Sequence, residues 1–135
     1  MIHETSEWSM EMQVRDYELD MQGIVNNAVY QNYLEHARHM YIKTLGLDFA
    51  EYSRRGINFV AIRIELDYKY PLKSGDHFSV SVAVAMESPL KIVFNQTITR
   101  IPDNKLICKG TVFATALNER GRPFIPNEVK EKFSK

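Results

Sequence analysis

Asp20 stands seven residues ahead of Asn27, where a long run of apolar residues at helical spacing begins. A helix start carries backbone N–H groups with no partner inside the helix and a partial positive charge. A carbonyl docked there is polarised, and a carboxylate beside it can attack the carbonyl carbon or draw a proton from water. A capping role is the competing reading for an Asp before a helix, but Asp20 is too far upstream, and Asn26 or Asn27 is better placed to cap. Gly23, between the two, is expected to supply a backbone conformation or a close approach that a Cβ would obstruct; an ordinary turn glycine fits equally well.

The other chemically capable residues point elsewhere. Glu35, His36 and His39 share a helical stretch, but no further His or Cys cluster lies near and the His-Glu-x-x-His order is missing, so no metal site is expected. Glu35 and Arg38 suit an i,i+3 ion pair on a solvated face. Cys108 lies in an apolar β run with no evident base and reads as a small buried residue. No Gly-x-Ser-x-Gly elbow and no glycine-rich phosphate cradle occurs.

The elements that must position Asp20 follow from periodicity. Trp8, Met10, Met12 and Val14 alternate with polar residues, the pattern of a half-buried strand. Tyr30, Tyr33, Leu34, Ala37, Tyr41 and Leu45 recur at helical spacing, which predicts a helix from Asn27 to Leu45, about 28 Å long and stopped by Gly46. Asp48 and Glu51 are spaced as a capping box for a short helix through Ser53. Ile62 to Tyr70, Phe78 to Met86, Ile92 to Ile101 and Leu106 to Leu117 read as strands joined by short turns, and Asn127 is placed to cap a terminal helix from Glu128 to Phe133. One strand, a long helix and then four long strands predict an α+β antiparallel sheet curved around the helix. A single helix leaves an edge and apolar surface of such a sheet uncovered, so a homodimer or homotetramer is expected.

A chain of 135 residues has room for one core, so a single domain over 1–135 is expected. Seventeen basic and seventeen acidic side chains cancel without long runs of one sign, which argues against a nucleic-acid or anionic-membrane partner. Charges throughout the first 25 residues interrupt any apolar export or spanning segment, and the single cysteine fits a reducing compartment; a soluble, cytoplasmic protein is expected.

The stretch Asp20-Met-Gln-Gly23-Ile-Val25-Asn-Asn27-Ala-Val-Tyr30, followed by Glu35-His-Ala-Arg38, resembles the active-site segment of hotdog-fold acyl-CoA thioesterases of the 4-hydroxybenzoyl-CoA thioesterase type. The resemblance runs from Met12 to Phe133 and implies a hotdog fold, in which a five-stranded antiparallel sheet wraps one central helix. It implies hydrolysis of acyl-CoA without a cofactor, with Asp20 as nucleophile or general base and the Asn27 backbone amide polarising the carbonyl. Gly23 is the matching glycine, Val25 and Tyr30 match positions beside the substrate, and Lys91 aligns with a basic segment that meets CoA phosphates in some relatives. Where those relatives have arginines this chain has Pro89 and Leu90, which leaves Lys69, Lys73 or Arg100, or a carrier-protein surface, as substitutes. Met21-Gln22 and Asn26-Asn27 depart from the aryl-specific pattern toward fatty-acyl enzymes. The alternatives are acyl-ACP hydrolysis on the same scaffold and a non-catalytic binder of acyl thioesters or fatty acids.

Overall fold

The computed structural model describes residues 7–134; residues 1–6 and 135, part of the expected single domain, lie outside the described residues. The elements are β1 (Trp8–Gln13), α1 (Asn27–Thr44), α2 (Phe49–Arg54), β2 (Asn58–Tyr68), β3 (His77–Ser88), β4 (Lys91–Ile101), β5 (Lys105–Leu117) and α3 (Asn127–Lys132). The strands form one antiparallel sheet in the order β1-β3-β4-β5-β2, and α1 packs against it. This is the expected α+β architecture.

The helical face read from sequence is the buried one: Tyr30, Tyr33, Leu34, Ala37 and Tyr41 enter the same apolar cluster as Phe78, Val80, Val82 and Val84 of β3 and Ile92, Phe94 and Ile98 of β4. Burial of apolar surface is therefore what fixes α1 on the sheet. Gly110 of β5 lets the helix come close, since a Cβ there would lie 2.9 Å from methyl carbons of both Leu34 and Leu66.

Several local expectations change. The first link between long strands is no hairpin, because β2 pairs with β5 while β3 pairs with β1 and β4. Residues 69–76 instead cross past the start of α1, where the Leu72 carbonyl accepts from Val25 N–H at 2.9 Å and Ile24 bridges to Lys73. The alternation of β2 is broken by a bulge between Ala61 and Arg63, which leaves Ile62 about half exposed. Asp48 caps α2 by accepting from Glu51 N–H, but the Glu51 carboxylate turns to Arg54, so only half of the capping box forms. In α3 the cap position is held by Pro126, without a side-chain cap, and Asn127 is the first helical residue, because the ring fixes φ at −57° and the Pro126 carbonyl accepts the N–H groups of Val129 and Lys130 at 3.0 and 3.1 Å.

β2 is one edge of the sheet and carries exposed Ile62, Ile64 and Tyr68. Among the described residues no helix is long and apolar enough to cross a membrane.

Candidate active site

Asp20 opens a tight turn that it largely holds together. Its own N–H donates to the Ile24 carbonyl at 2.8 Å, and its carbonyl accepts from Gly23 N–H at 3.1 Å. Its Oδ1 accepts from Gln22 N–H at 2.8 Å and, at 3.4 Å, from Ile24 N–H. Asx geometry of this kind is the usual local use of an Asp, but it occupies one oxygen only. Among the described residues Oδ2 has no hydrogen-bond partner, and Asp20 lines an open depression with Leu19, Met21, Gln22 and Asn26. Gly23 has φ +79°, and a Cβ there would meet nothing within 4 Å. Its glycine is thus required by the left-handed turn and not by crowding within this chain.

Asn26 is the cap of α1. Its side chain accepts from Ala28 N–H at 3.0 Å and its carbonyl from Val29 N–H at 2.9 Å. Those two bonds leave the Asn27 amide as the helix-start donor without a partner among the described residues. The depression that Asp20 lines is thus also lined by Asn26, the cap of an 18-residue helix whose first residue, Asn27, carries the unsatisfied N–H at the positive end. A free N–H of this kind can polarise a carbonyl oxygen, and a free carboxylate oxygen can serve as nucleophile or base.

Val25 and Tyr30 belong to the support beneath this surface. Val25 is 1% and Tyr30 3% exposed, and the Tyr30 phenol oxygen accepts from the buried Leu72 N–H at 3.1 Å. Burial raises the Tyr30 pKa, so the phenol stays neutral. Tyr68 stacks edge-on against Tyr30 and donates its OH to the Asn27 carbonyl at 3.2 Å, joining the end of β2 to the first turn of α1.

Lys91 is not brought to Asp20. β3 leads away from the Asp20 loop, to which Asp76 is joined through Val14 N–H, and the turn that holds Lys91 lies at its far end, after about 36 Å of strand at 3.3 Å per residue. There its ammonium lies 3.4 Å from Glu87 and above the Phe113 ring. Of the substitutes, Arg100 is engaged by Asp103 at 2.6 Å, whereas Lys73 bridges to Ile24 inside the Asp20 turn. Arg38 and Glu35 do not pair as expected: Glu35 approaches His39 at 3.9 Å, and Arg38 turns inward to donate to Gln96 Oε1 at 3.1 Å. Burial lowers the Arg38 pKa as a result. Among the described residues no group of three His, Cys, Asp or Glu side chains converges as a metal site.

Sequence reasoning overlooked Glu18 and the 69–76 crossing. Glu18 Oε1 accepts from Tyr33 OH at 2.7 Å and from Arg15 N–H at 2.8 Å, and its carbonyl accepts from Asn26 N–H at 3.0 Å. Tyr33 was legible only as an apolar helix position, and nothing in the local spacing pairs it with a residue fifteen positions upstream.

A curved five-stranded antiparallel sheet around one long helix defines a hotdog fold. The chain belongs to the Thioesterase-like superfamily, whose model matches residues 14–133. It is 36% identical over 125 residues, 92% of this chain, to a chloroplastic acyl-acyl carrier protein thioesterase of Arabidopsis thaliana, and it spans 66% of that relative's length. It is 23% identical over 124 residues to the long-chain acyl-CoA thioesterase FadM of Escherichia coli, covering 90% of this chain and 93% of FadM. Its fold superposes with TM-score 0.89 on a 1,4-dihydroxy-2-naphthoyl-CoA thioesterase from Synechocystis, at 15% identity over 95% of this chain and 96% of that one.

Proposed function

We propose that the protein hydrolyses acyl thioesters, with acyl-CoA as substrate and Asp20 and the Asn27 amide as its reacting groups. The observation that carries this reading is the pair of unsatisfied groups at the start of α1, Asp20 Oδ2 and Asn27 N–H, in a chain of the thioesterase-like superfamily. The thioester oxygen accepts from Asn27 N–H. Asp20 Oδ2 then attacks the carbonyl carbon, expelling the thiolate and forming an anhydride that water cleaves, or it takes a proton from the water that attacks. No cofactor takes part in either route. Gly23 acts by setting the turn, and Val25 and Tyr30 by supporting it.

The site is completed by a second copy. β2 begins beside α2 and ends at Tyr68, against the start of α1. Two copies joined antiparallel through their β2 edges bring the Asp20 end of one to the Asn58 end of the other. Lys91 lies at that Asn58 end, since Ile92 is opposite Ala114 and Asn58 opposite Leu117 on β5. In such a homodimer, or a homotetramer built from it, Lys91 of one copy faces CoA phosphates held at the site of the other. We assign the protein to the cytoplasm, where the single buried Cys108 stays reduced.

An acyl-ACP substrate is the second reading, favoured by the similarity to the Arabidopsis acyl-acyl carrier protein thioesterase. The test is release of free thiol over a series of aliphatic and aryl acyl-CoAs together with acyl-ACP. Turnover of CoA esters supports the first reading, and turnover of acyl-ACP alone the second. Binding of acyl thioesters with no thiol released from any of them leaves a non-catalytic binder.

A further inference from the structure

The bonds within the Asp20 turn hold Asp20 relative to Gln22, Gly23 and Ile24, but none of them reaches the body of α1. A carboxylate and an amide that act on one carbonyl must be held in register, and a displacement of about 1 Å at such a site is enough to cost roughly a hundredfold in rate. The loop meets the helix through Glu18. One carboxylate oxygen, Oε1, takes a bond from Tyr33 OH at 2.7 Å and another from Arg15 N–H at 2.8 Å, while the Glu18 backbone carbonyl takes the N–H of the helix cap, Asn26, at 3.0 Å. Glu18 therefore grips the chain before Asp20, the cap after it and the second turn of α1 at once. Among the described residues, Tyr33 to Glu18 is the one side-chain hydrogen bond that joins the loop to the body of that helix.

The Tyr33 end of the contact is rigid. Tyr33 is 2% exposed, and its ring packs on Phe78 with centroids 4.6 Å apart and edge-on to Tyr30. Burial and the facing Glu18 carboxylate push the phenol pKa well above its ordinary value, so the hydroxyl remains a donor through any working pH. Glu18 lies in the 3-10 turn Asp16–Glu18, two residues before Asp20, and a rotation of that turn is passed directly to the Asp20 carboxylate.

We infer that Glu18 and Tyr33 are positioning residues, a latch that sets the Asp20 carboxylate in register with the Asn27 amide. The inference rests on the catalytic reading of those two groups. The latch touches no substrate, so its loss lowers kcat and leaves KM nearly unchanged. Tyr33→Phe keeps the ring and its packing but removes the donor, and kcat should fall about tenfold with KM within about twofold. Glu18→Ala also removes the acceptor of the Arg15 N–H and should lose at least as much, and the Glu18→Ala/Tyr33→Phe double variant should be no worse than Glu18→Ala alone, because the Tyr33 bond is already gone in it. Glu18→Gln presents an amide oxygen that accepts both bonds, and it should recover most of the loss.

The experiment measures kcat and KM for thiol release by these variants, with Asp20→Asn in parallel, all well below the melting temperature of each. Glu18 is only partly buried, so Glu18→Ala carries the test if Tyr33→Phe fails to fold. If Asp20→Asn is inactive and both Tyr33→Phe and Glu18→Ala turn over at the parental kcat, the latch is refuted and the catalytic reading stands. Losses in the two single variants that add in the double one, or a Glu18→Gln as slow as Glu18→Ala, refute a shared bond as their cause. Parental turnover by Asp20→Asn removes both the catalytic reading and the latch with it.

Discussion

Replacing Tyr30 by Phe separates a substrate contact from a structural one. The phenol oxygen accepts the Leu72 N–H at 3.1 Å, and Leu72 is fully buried, so that N–H has no water to turn to. The ring keeps its edge contacts with Tyr33 at 6.1 Å and Tyr68 at 5.5 Å in the variant, so packing changes little. What remains is the desolvation cost of one orphaned buried donor, about 1–3 kcal/mol. With a urea slope of about 1–3 kcal/mol/M for a protein of this size, the midpoint should drop by roughly 1 M at unchanged slope. Urea denaturation at fixed protein concentration, which keeps any dimer contribution constant, reads this directly. KM for acyl-CoA should stay within about twofold when measured below the transition. An unchanged urea midpoint together with a KM raised several-fold would refute the structural assignment and restore Tyr30 as a substrate contact.

Other consequences are as direct. Burial pushes the Cys108 thiol up to about 11 from an ordinary 9.0, so the unfolded chain releases that proton first as pH rises. The contribution is complete below about pH 9 and lost by about pH 11, at most roughly 2.7 kcal/mol for two pH units; Cys108→Ala should flatten this part of the stability–pH curve, and an unchanged alkaline slope would speak against it. If two copies pair through β2 as proposed, Ile64→Lys on that exposed edge strand should give a folded but weakly active monomer in sedimentation, whereas a variant that still sediments as a dimer would place the interface elsewhere. Lys91→Ala should raise KM for acyl-CoA several-fold with little change in kcat and with no effect on acyl-pantetheine, which lacks the nucleotide phosphates; equal effects on both esters would remove the phosphate role.

The long helix and the sheet class were legible because each depends on local periodicity. Tyr33, Leu34, Ala37 and Tyr41 are buried as their spacing demands, and β3 to β5 follow runs of apolar alternation between turn residues. Strand order was not legible, since the segment from Tyr70 to Asp76 has the composition of a hairpin turn yet crosses to another strand, held by backbone bonds such as Leu72 to Val25 that leave no side-chain signature. The inward turn of Arg38 was hidden for a related reason: charge predicts solvent, while the Gln96 acceptor that draws it in lies 58 residues away. At the site, the placement of Asp20 before a helix was readable. Which oxygen and which amide stay unsatisfied depends on the turn geometry and on the Asn26 cap.

The most direct measurement is steady-state thiol release by Asp20→Asn. The side-chain oxygen of Asn can still accept from Gln22 N–H, so the turn, the fold and the oligomer should persist, with the melting temperature close to the parental one. The free Oδ2 is replaced by an amide nitrogen that neither attacks a carbonyl nor takes a proton, and kcat/KM should fall by about a hundredfold or more. Binding of a non-hydrolysable acyl-CoA should survive, because the Asn27 amide is untouched. A folded Asp20→Asn protein that releases thiol at close to the parental rate would contradict the assignment of Asp20 as the reacting carboxylate.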